Sequence, residues 1–319
     1  MASWQKVKDY FGDKLQENSP LSTITTVQTG GNAKGLVKVK TQEELIDAVN
    51  FLKENGVKFL VVGGLSNLLF PDEGYDGVIV KNEVEGIKLD NEILTVKSGT
   101  VLQQLVDFTI EKGLNGLDKM TGIPGTVGGA IYGDAGAYGQ TISDYLTSVT
   151  VLHNGQIVKL LKDECGFTYR NSIFKQTKDI ILEAAFKLIK DDSQHLVEES
   201  KEVYSIRIKK YPPGLKSPGS FFMNIPVEKI PERGMKLIPE DKIKNGRAHV
   251  GWLLESVGAK GMTEGGVHVA DYHGNLFLND QNGTSLDYYK LAKELSTRIK
   301  EKYGIILEPE VQLIDLPKL

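Results

Sequence analysis

Residues Lys119–Gln140 read KMTGIPGTVGGAIYGDAGAYGQ. Seven glycines stand in this stretch, at 122, 125, 128, 129, 133, 136 and 139, beside one proline, Pro124, and little charge. Glycine loses more backbone entropy on folding than any other residue, so a folded chain concentrates it where backbone turns tightly or is closely approached. A flexible linker would be rich in serine and polar residues. Here Ile123, Val127, Ile131 and Tyr138 stand among the glycines instead. The stretch therefore reads as ordered backbone held close to a ligand, with N–H groups facing polar or anionic atoms.

The rest of the chain bounds what that ligand can be. At 319 residues the chain is long enough for two or three domains. The formal net charge of −4 argues against nucleic acid as a partner. The start, MASWQKVKDYF, has no apolar signal core, and no run of about 18 apolar residues occurs. A cytoplasmic chain with no membrane partner is expected. The single cysteine, Cys165, rules out an intrachain disulfide. The five histidines form no H-E-x-x-H or Cys/His pairing, so no metal is expected.

Read in order, the chain alternates helix and strand patterns of an α+β protein. A short helix is expected over Trp4–Gln16 and a strand over Gly35–Lys40. Thr41 and Glu44 form a capping box for a helix that Gly56 ends. Lys58–Val62 is the next strand, and it runs into a second glycine turn, Gly63-Gly64-Leu65-Ser66-Asn67. Short strands follow over Asp76–Lys97, then a helix over Val101–Lys112. Leu146–His153 and Gln156–Leu161 flank Asn154-Gly155, a strong hairpin turn because both central positions take positive φ. A strand over Asp179–Ile189 and a charged helix over Asp192–Lys210 end at Tyr211-Pro212-Pro213-Gly214, where a domain boundary is placed. Beyond it come helices over Val250–Val257 and Ser285–Tyr303, strands around Val267–Ala270 and Asn275–Leu278, and a final strand over Ile305–Ile314.

Five groups of residues have chemistry to offer. The turn Gly63–Asn67 lacks the G-K-[ST] of a Walker loop and the spacing of a Rossmann fingerprint. With Lys119–Gln140 it makes two loops of exposed N–H groups, with Ser66 and Asn67, suited to a pyrophosphate. In YRNSIFK, Arg170 stands between Tyr169 and Asn171 and can fix a carboxylate through two bonds. On composition alone a surface arginine is the plainer reading. In GSFFMN, Ser220 is set between glycine and two bulky aromatics; no G-x-S-x-G elbow surrounds it, so a turn serine is the alternative to an acid–base role. In LEPEV, strand alternation places Glu308 and Glu310 on one face, either a solvated edge or an acid–base pair. The basic group Arg207, Lys209, Lys210 and Lys216 reads as a solvated helix face or as a diphosphate site.

GIPGTVGGA with DAGAYG, then YRNSIFK, GSFFMN, GWLLESVGAKG and LEPEV, occur in the order seen in the UDP-N-acetylenolpyruvoylglucosamine reductase (MurB) family, which the chain resembles from about Thr25 to about Ile314. The resemblance implies an α+β chain whose residues 1–210 form an FAD-binding domain of the vanillyl-alcohol-oxidase type, in subdomains of about 1–80 and 81–210. Residues 211–319 would form a substrate-binding domain, its last strand returning a catalytic glutamate. It implies FAD on Gly63, Gly64, Leu65, Ser66 and Asn67, and on Gly122, Ile123, Pro124, Gly125, Val127, Gly128, Gly129 and Ala130. NADPH would be the hydride donor and a UDP-sugar enolpyruvyl ether the substrate, touched by Tyr169 and Asn224. Arg170, Ser220 and Glu310 would be catalytic in a monomeric enzyme of peptidoglycan precursor synthesis. Another FAD oxidoreductase of this fold, or a non-catalytic flavin-binding relative, are the alternatives.

The implied roles suit the chemistry. Hydride addition to an enolpyruvyl double bond pushes charge into an enolate, which needs a cation and a hydrogen-bond donor placed in advance. Arg170 suits the first role and a protonated Glu310 the second, with Ser220 protonating the adjacent carbon. The chain departs from the family's usual residues at Leu65 for Gly, Asp134 for Asn, Met223 for Lys and Gln312 for Arg.

Overall fold

The computed structural model describes residues 2–319, with side chains from Trp4 onward. The described chain divides into two units. The first comprises residues up to 19, 33–64 and 76–209; the second comprises 20–32, 65–75 and 210–319. The short segments 20–32 and 65–75 thus fold with the C-terminal part and not with their neighbours in sequence.

The first unit is built on two sheets. In the first, the strands run in the order Gln16–Pro20, Asn32–Val39, Tyr75–Asn82, Phe59–Val62. Tyr75–Asn82 lies between the two strands that the strand–helix–strand pattern suggests as neighbours, and pairs in parallel with Phe59–Val62. The crossover is the helix Gln42–Glu54, started by the Thr41–Glu44 capping box. It turns Leu45, Ala48, Val49 and Leu52 onto the sheet residues Val37, Val39, Val78 and Val80. The N-terminal helix is Ala2–Phe11, shorter than its expected span, and residues 16–20 are strand.

The second sheet is antiparallel, in the order Gln156–Leu161, Leu146–His153, Ile180–Lys187, Ile93–Lys97, Ile87–Asp90. The Asn154-Gly155 turn joins the first two strands at their expected ends, with Asn154 at φ 49° and Gly155 at φ 82°. The helix Leu102–Glu111 puts Leu105, Val106 and Ile110 against the sheet residues Leu94, Val96, Val149 and Phe186. A short helix inside the glycine stretch, Val127–Tyr132, adds Val127 and Ile131 to this core.

The second unit packs around the helix Ser285–Tyr303, whose Tyr288, Leu291, Leu295, Ile299 and Tyr303 are buried. Against it lie Phe221, Phe222 and Phe277, with Phe221 stacked on Phe277 at 4.6 Å between ring centres. Segment 65–75 is tied in by Asp72, whose carboxylate accepts from the Ser285 and Leu286 N–H groups at 2.8 and 2.9 Å. A carboxylate at a helix N-terminus also suits the helix dipole. The strand Leu68–Leu69 pairs in parallel with Gln312–Leu313. The long terminal strand expected over Ile305–Ile314 is reduced to Gln312–Leu313 and an isolated bridge at Pro309. Pro309 has no N–H to give a ladder, which limits strand propagation there.

Candidate active site

In the first unit the two glycine loops meet. A Cβ on Gly64 would lie 2.8 Å from Gly125 Cα, and one on Gly63 would run into the Thr126 side chain. Only hydrogen fits at either place. Gly63, Gly64 and Gly125 donate their N–H groups to no protein acceptor among the described residues. Such N–H groups at the junction of two loops form a cradle for an anionic oxygen, which suits a pyrophosphate.

Several other N–H groups of the second loop find acceptors within the protein. Gly122 donates to Gln103 Oε1 at 2.7 Å and Ile123 to Met120 O at 3.0 Å. Val127 donates to Thr100 O and Gly128 to Ser98 O. Thr126 caps the helix Val127–Tyr132 by accepting from Gly129 N, and Ala130 N returns to Thr126 O. Gly128 sits so close to Ser98 that a Cβ would come within 2.9 Å of its Cβ. Part of the glycine content thus serves packing of this helix on the sheet. Thr126 was not singled out from sequence; a Thr three residues before Gly129, at the head of an apolar pattern, is the capping signal that locates it.

Leu65 has φ 50° and is 3% exposed. This left-handed backbone explains why glycine suits the position; leucine carries a strain on the order of 1–2 kcal/mol, opposed by burial of its side chain. Its carbonyl accepts from Thr26 N at 3.4 Å, and the Ser66 carbonyl accepts from Thr26 Oγ1 at 3.3 Å. Asn67 reaches the C-terminal segment: its Nδ2 donates to Glu310 O at 3.0 Å and its carbonyl accepts from Gln312 N.

Arg170 also has a left-handed backbone, φ 57°, within a turn closed by Thr168 and Asn171. Its guanidinium donates to Asp134 O at 3.2 Å and to Gly136 O at 2.8 Å. It therefore ties down the tail of the glycine stretch while carrying its charge there. The Tyr169 ring lies 5.3 Å from the Arg170 guanidinium carbon. Asp134 is itself buried at φ 41°. Its Oδ1 has no hydrogen-bond partner among the described residues. Burial pushes its carboxyl above the ordinary range, opposed by Ser143 and by the Arg170 charge.

In the second unit the backbone of Glu310 is tied to that of Phe221, the residue after Ser220. Glu310 N donates to Phe221 O at 2.8 Å, Met223 N donates to Glu308 O at 3.0 Å, and Phe222 bridges to Pro309. The two buried phenylalanines anchor the motif, so Ser220 stands at the edge of a packed core. Glu308, expected on the same face as Glu310, instead pairs with Lys229 at 2.7 Å with half its side chain exposed. Asn224 Oδ1 accepts from Val250 N at 3.1 Å, holding the start of the helix Val250–Glu255. Tyr211, read from sequence only as part of a helix break, places its hydroxyl 3.1 Å from Ser220 Oγ.

An α+β protein with an FAD-binding fold and a separate C-terminal unit is of the flavin-dependent oxidoreductase class. A family model described as FAD binding domain matches residues 33–161, and one described as UDP-N-acetylenolpyruvoylglucosamine reductase, C-terminal domain, matches residues 211–314. The chain is 37% identical over 302 residues to UDP-N-acetylenolpyruvoylglucosamine reductase of Solibacter usitatus, covering 94% of this chain and 96% of that one. It is 35% identical over 314 residues to the protein of that name from Bacillus licheniformis, covering 97% of each. The crystal structure of UDP-N-acetylenolpyruvylglucosamine reductase (MurB) from Thermus caldophilus superimposes with a TM-score of 0.74 at 29% identity, over 94% of this chain and 99% of that one. This chain belongs to the UDP-N-acetylenolpyruvoylglucosamine reductase family. No described helix is long and apolar enough to cross a membrane.

Proposed function

We propose that the protein reduces UDP-N-acetylglucosamine enolpyruvate to UDP-N-acetylmuramate with NADPH and FAD, as a cytoplasmic monomer in peptidoglycan precursor synthesis. The observation that carries the reading is the Glu310 N to Phe221 O hydrogen bond, which sets a carboxyl-bearing residue beside Ser220. Bound FAD would supply the hydride-transfer chemistry between NADPH and the methylene carbon of the enolpyruvyl ether. Gly63, Gly64 and Gly125 offer it N–H donors; Leu65, Ser66 and Asn67, and the flanking Gly122, Ile123, Pro124, Val127, Gly128, Gly129 and Ala130, form the two loops around those donors.

The chain's own groups manage the charge. Arg170 supplies a fixed cation for the enolate that forms beside the substrate carboxylate. Glu310, protonated, donates to the enolate oxygen, and Ser220 Oγ–H protonates the carbon next to it. Tyr169 and Asn224 line the substrate. Segments 1–210 and 211–319 divide the work between cofactor and substrate.

The test is colour. Purified protein should be yellow, bleach with NADPH, and regain its colour when the enolpyruvyl nucleotide is added without oxygen. A yellow protein that NADPH bleaches but this nucleotide leaves bleached would assign it to another substrate. A colourless protein that takes up no FAD would overturn the enzymatic reading.

A further inference from the structure

We infer that Tyr211 is the positioning residue for Ser220 and the group that reprotonates it; this rests on Ser220 being the proton donor proposed above. The two hydroxyls are 3.1 Å apart. Both are fixed from the same side. Ser220 forms an isolated bridge with Leu276, and the Tyr211 ring packs on the cluster of Ala270, Leu276 and Leu278. The backbone just before Tyr211 is held too, because the Lys210 carbonyl accepts from the Tyr272 hydroxyl at 3.1 Å. The Lys210 ammonium lies 4.9 Å from the centre of the Tyr211 ring.

This arrangement answers a difficulty in using serine as an acid. Breaking the Ser220 O–H bond as the new C–H bond forms leaves an alkoxide, a strong base that must be quenched at once. The Tyr211 O–H bond breaks as the Ser220 O–H bond re-forms, and the phenolate recovers its proton from water. The net transfer is one proton from water to carbon, with no change of oxidation state in either side chain. A phenol, with an ordinary pKa of about 10, is a far better acid than an aliphatic alcohol. A Ser220 that also accepts from Tyr211 has its own hydrogen free to point elsewhere, which orients it before reaction.

Tyr211→Phe keeps the ring and its packing and removes only the hydroxyl. Stopped-flow measurement should find flavin bleaching by NADPH at the wild-type rate, which also shows that the variant is folded and loaded. Reoxidation by the enolpyruvyl nucleotide should slow by about tenfold or more. In mixtures of H₂O and D₂O the wild-type reoxidation rate should curve with deuterium fraction, as two moving protons require, and become linear in Tyr211→Phe. Without substrate, Ser220→Ala should move the ¹³C resonance of the Tyr211 ring carbon bearing the hydroxyl. Wild-type reoxidation in Tyr211→Phe, an unchanged deuterium profile, or an unmoved resonance would overturn the inference. Ser220→Ala in the same kinetic assay separates the two levels. A slow Ser220→Ala beside a wild-type Tyr211→Phe refutes the relay alone, and a wild-type Ser220→Ala refutes the role of Ser220 beneath it.

Discussion

Gly64 lies against Gly125 so closely that a single added Cβ would stand 2.8 Å from the Gly125 Cα. Two loops far apart in sequence are thereby held backbone to backbone, with Gly63 packed on Thr126 beside them. Gly64→Ala must push the loops apart, at a cost of about 1–3 kcal/mol. Flavin affinity should fall by about tenfold or more, read as bound FAD absorbance after gel filtration. Wild-type flavin content in this variant would show that the junction does not form the cofactor cradle.

Ser220→Ala should leave reduction of the flavin by NADPH intact and slow reoxidation by the enolpyruvyl nucleotide by at least about 10²-fold. Equal losses in both half-reactions would point to a structural defect in the GSFF core in place of a lost acid.

Arg170 binds the carbonyls of Asp134 and Gly136 through two arms of its guanidinium. Lysine keeps the charge but not the fork. Arg170→Lys should therefore lower thermal stability by about 1–3 kcal/mol and speed proteolysis between residues 134 and 140, in addition to lowering turnover. Turnover lost with unchanged protease resistance would assign Arg170 to the substrate alone.

Asp134 is buried, with one carboxyl oxygen lacking a partner. Burial raises its folded pKa, so the folded state holds the proton more tightly than the unfolded chain. Its favourable contribution is complete below the ordinary carboxylate range and is lost as pH rises through the raised folded value. Asp134→Asn, which cannot ionise, should match the wild type in stability at acid pH and exceed it increasingly as pH rises through that window. Urea midpoints across pH measure this; a constant difference would place the carboxyl in an unshifted state.

His273 titrates in the opposite sense. Burial first, and the Lys210 charge next, lower it to about 4, and its Nδ1 accepts from Asn275 N at 3.1 Å. Protonation would break that bond. Its folded pKa is depressed, so its contribution is complete above about 6.5, the ordinary histidine value, and drains away as pH falls toward about 4. His273→Gln should flatten the stability profile between those values, and a profile identical to the wild type would refute the neutral buried imidazole.

Local signals in this sequence were legible where one short stretch carries the whole physical cause. Thr41 and Glu44 satisfy each other's helix-end donors, Asn154-Gly155 supplies positive φ, and the helix Ser285–Tyr303 shows its apolar face at its own period. These features depend on neighbours within a few residues. The glycine stretch was legible as close backbone, but not its division of labour: Val127–Ala130 use their N–H groups for a helix and a sheet contact, whereas Gly125 N has no acceptor among the described residues.

What the tertiary structure alone decided is which distant groups meet. Glu308 and Glu310 are equivalent on an ideal strand, yet Pro309 interrupts the ladder; the Glu308 side chain turns to Lys229 and Glu310 N is pinned to Phe221 O. Tyr211 looked like punctuation until Leu276 drew it and Ser220 to one place. Segment 65–75 belongs to the second unit because Asp72 caps a helix there and Leu68–Leu69 pairs with Gln312–Leu313. Sequence periodicity encodes which face a residue presents, so it determined the elements, the buried sides and the close-backbone loops. Partners across long loops are selected by shape and by satisfaction of buried polar groups in three dimensions, and neither leaves a fixed spacing along the chain.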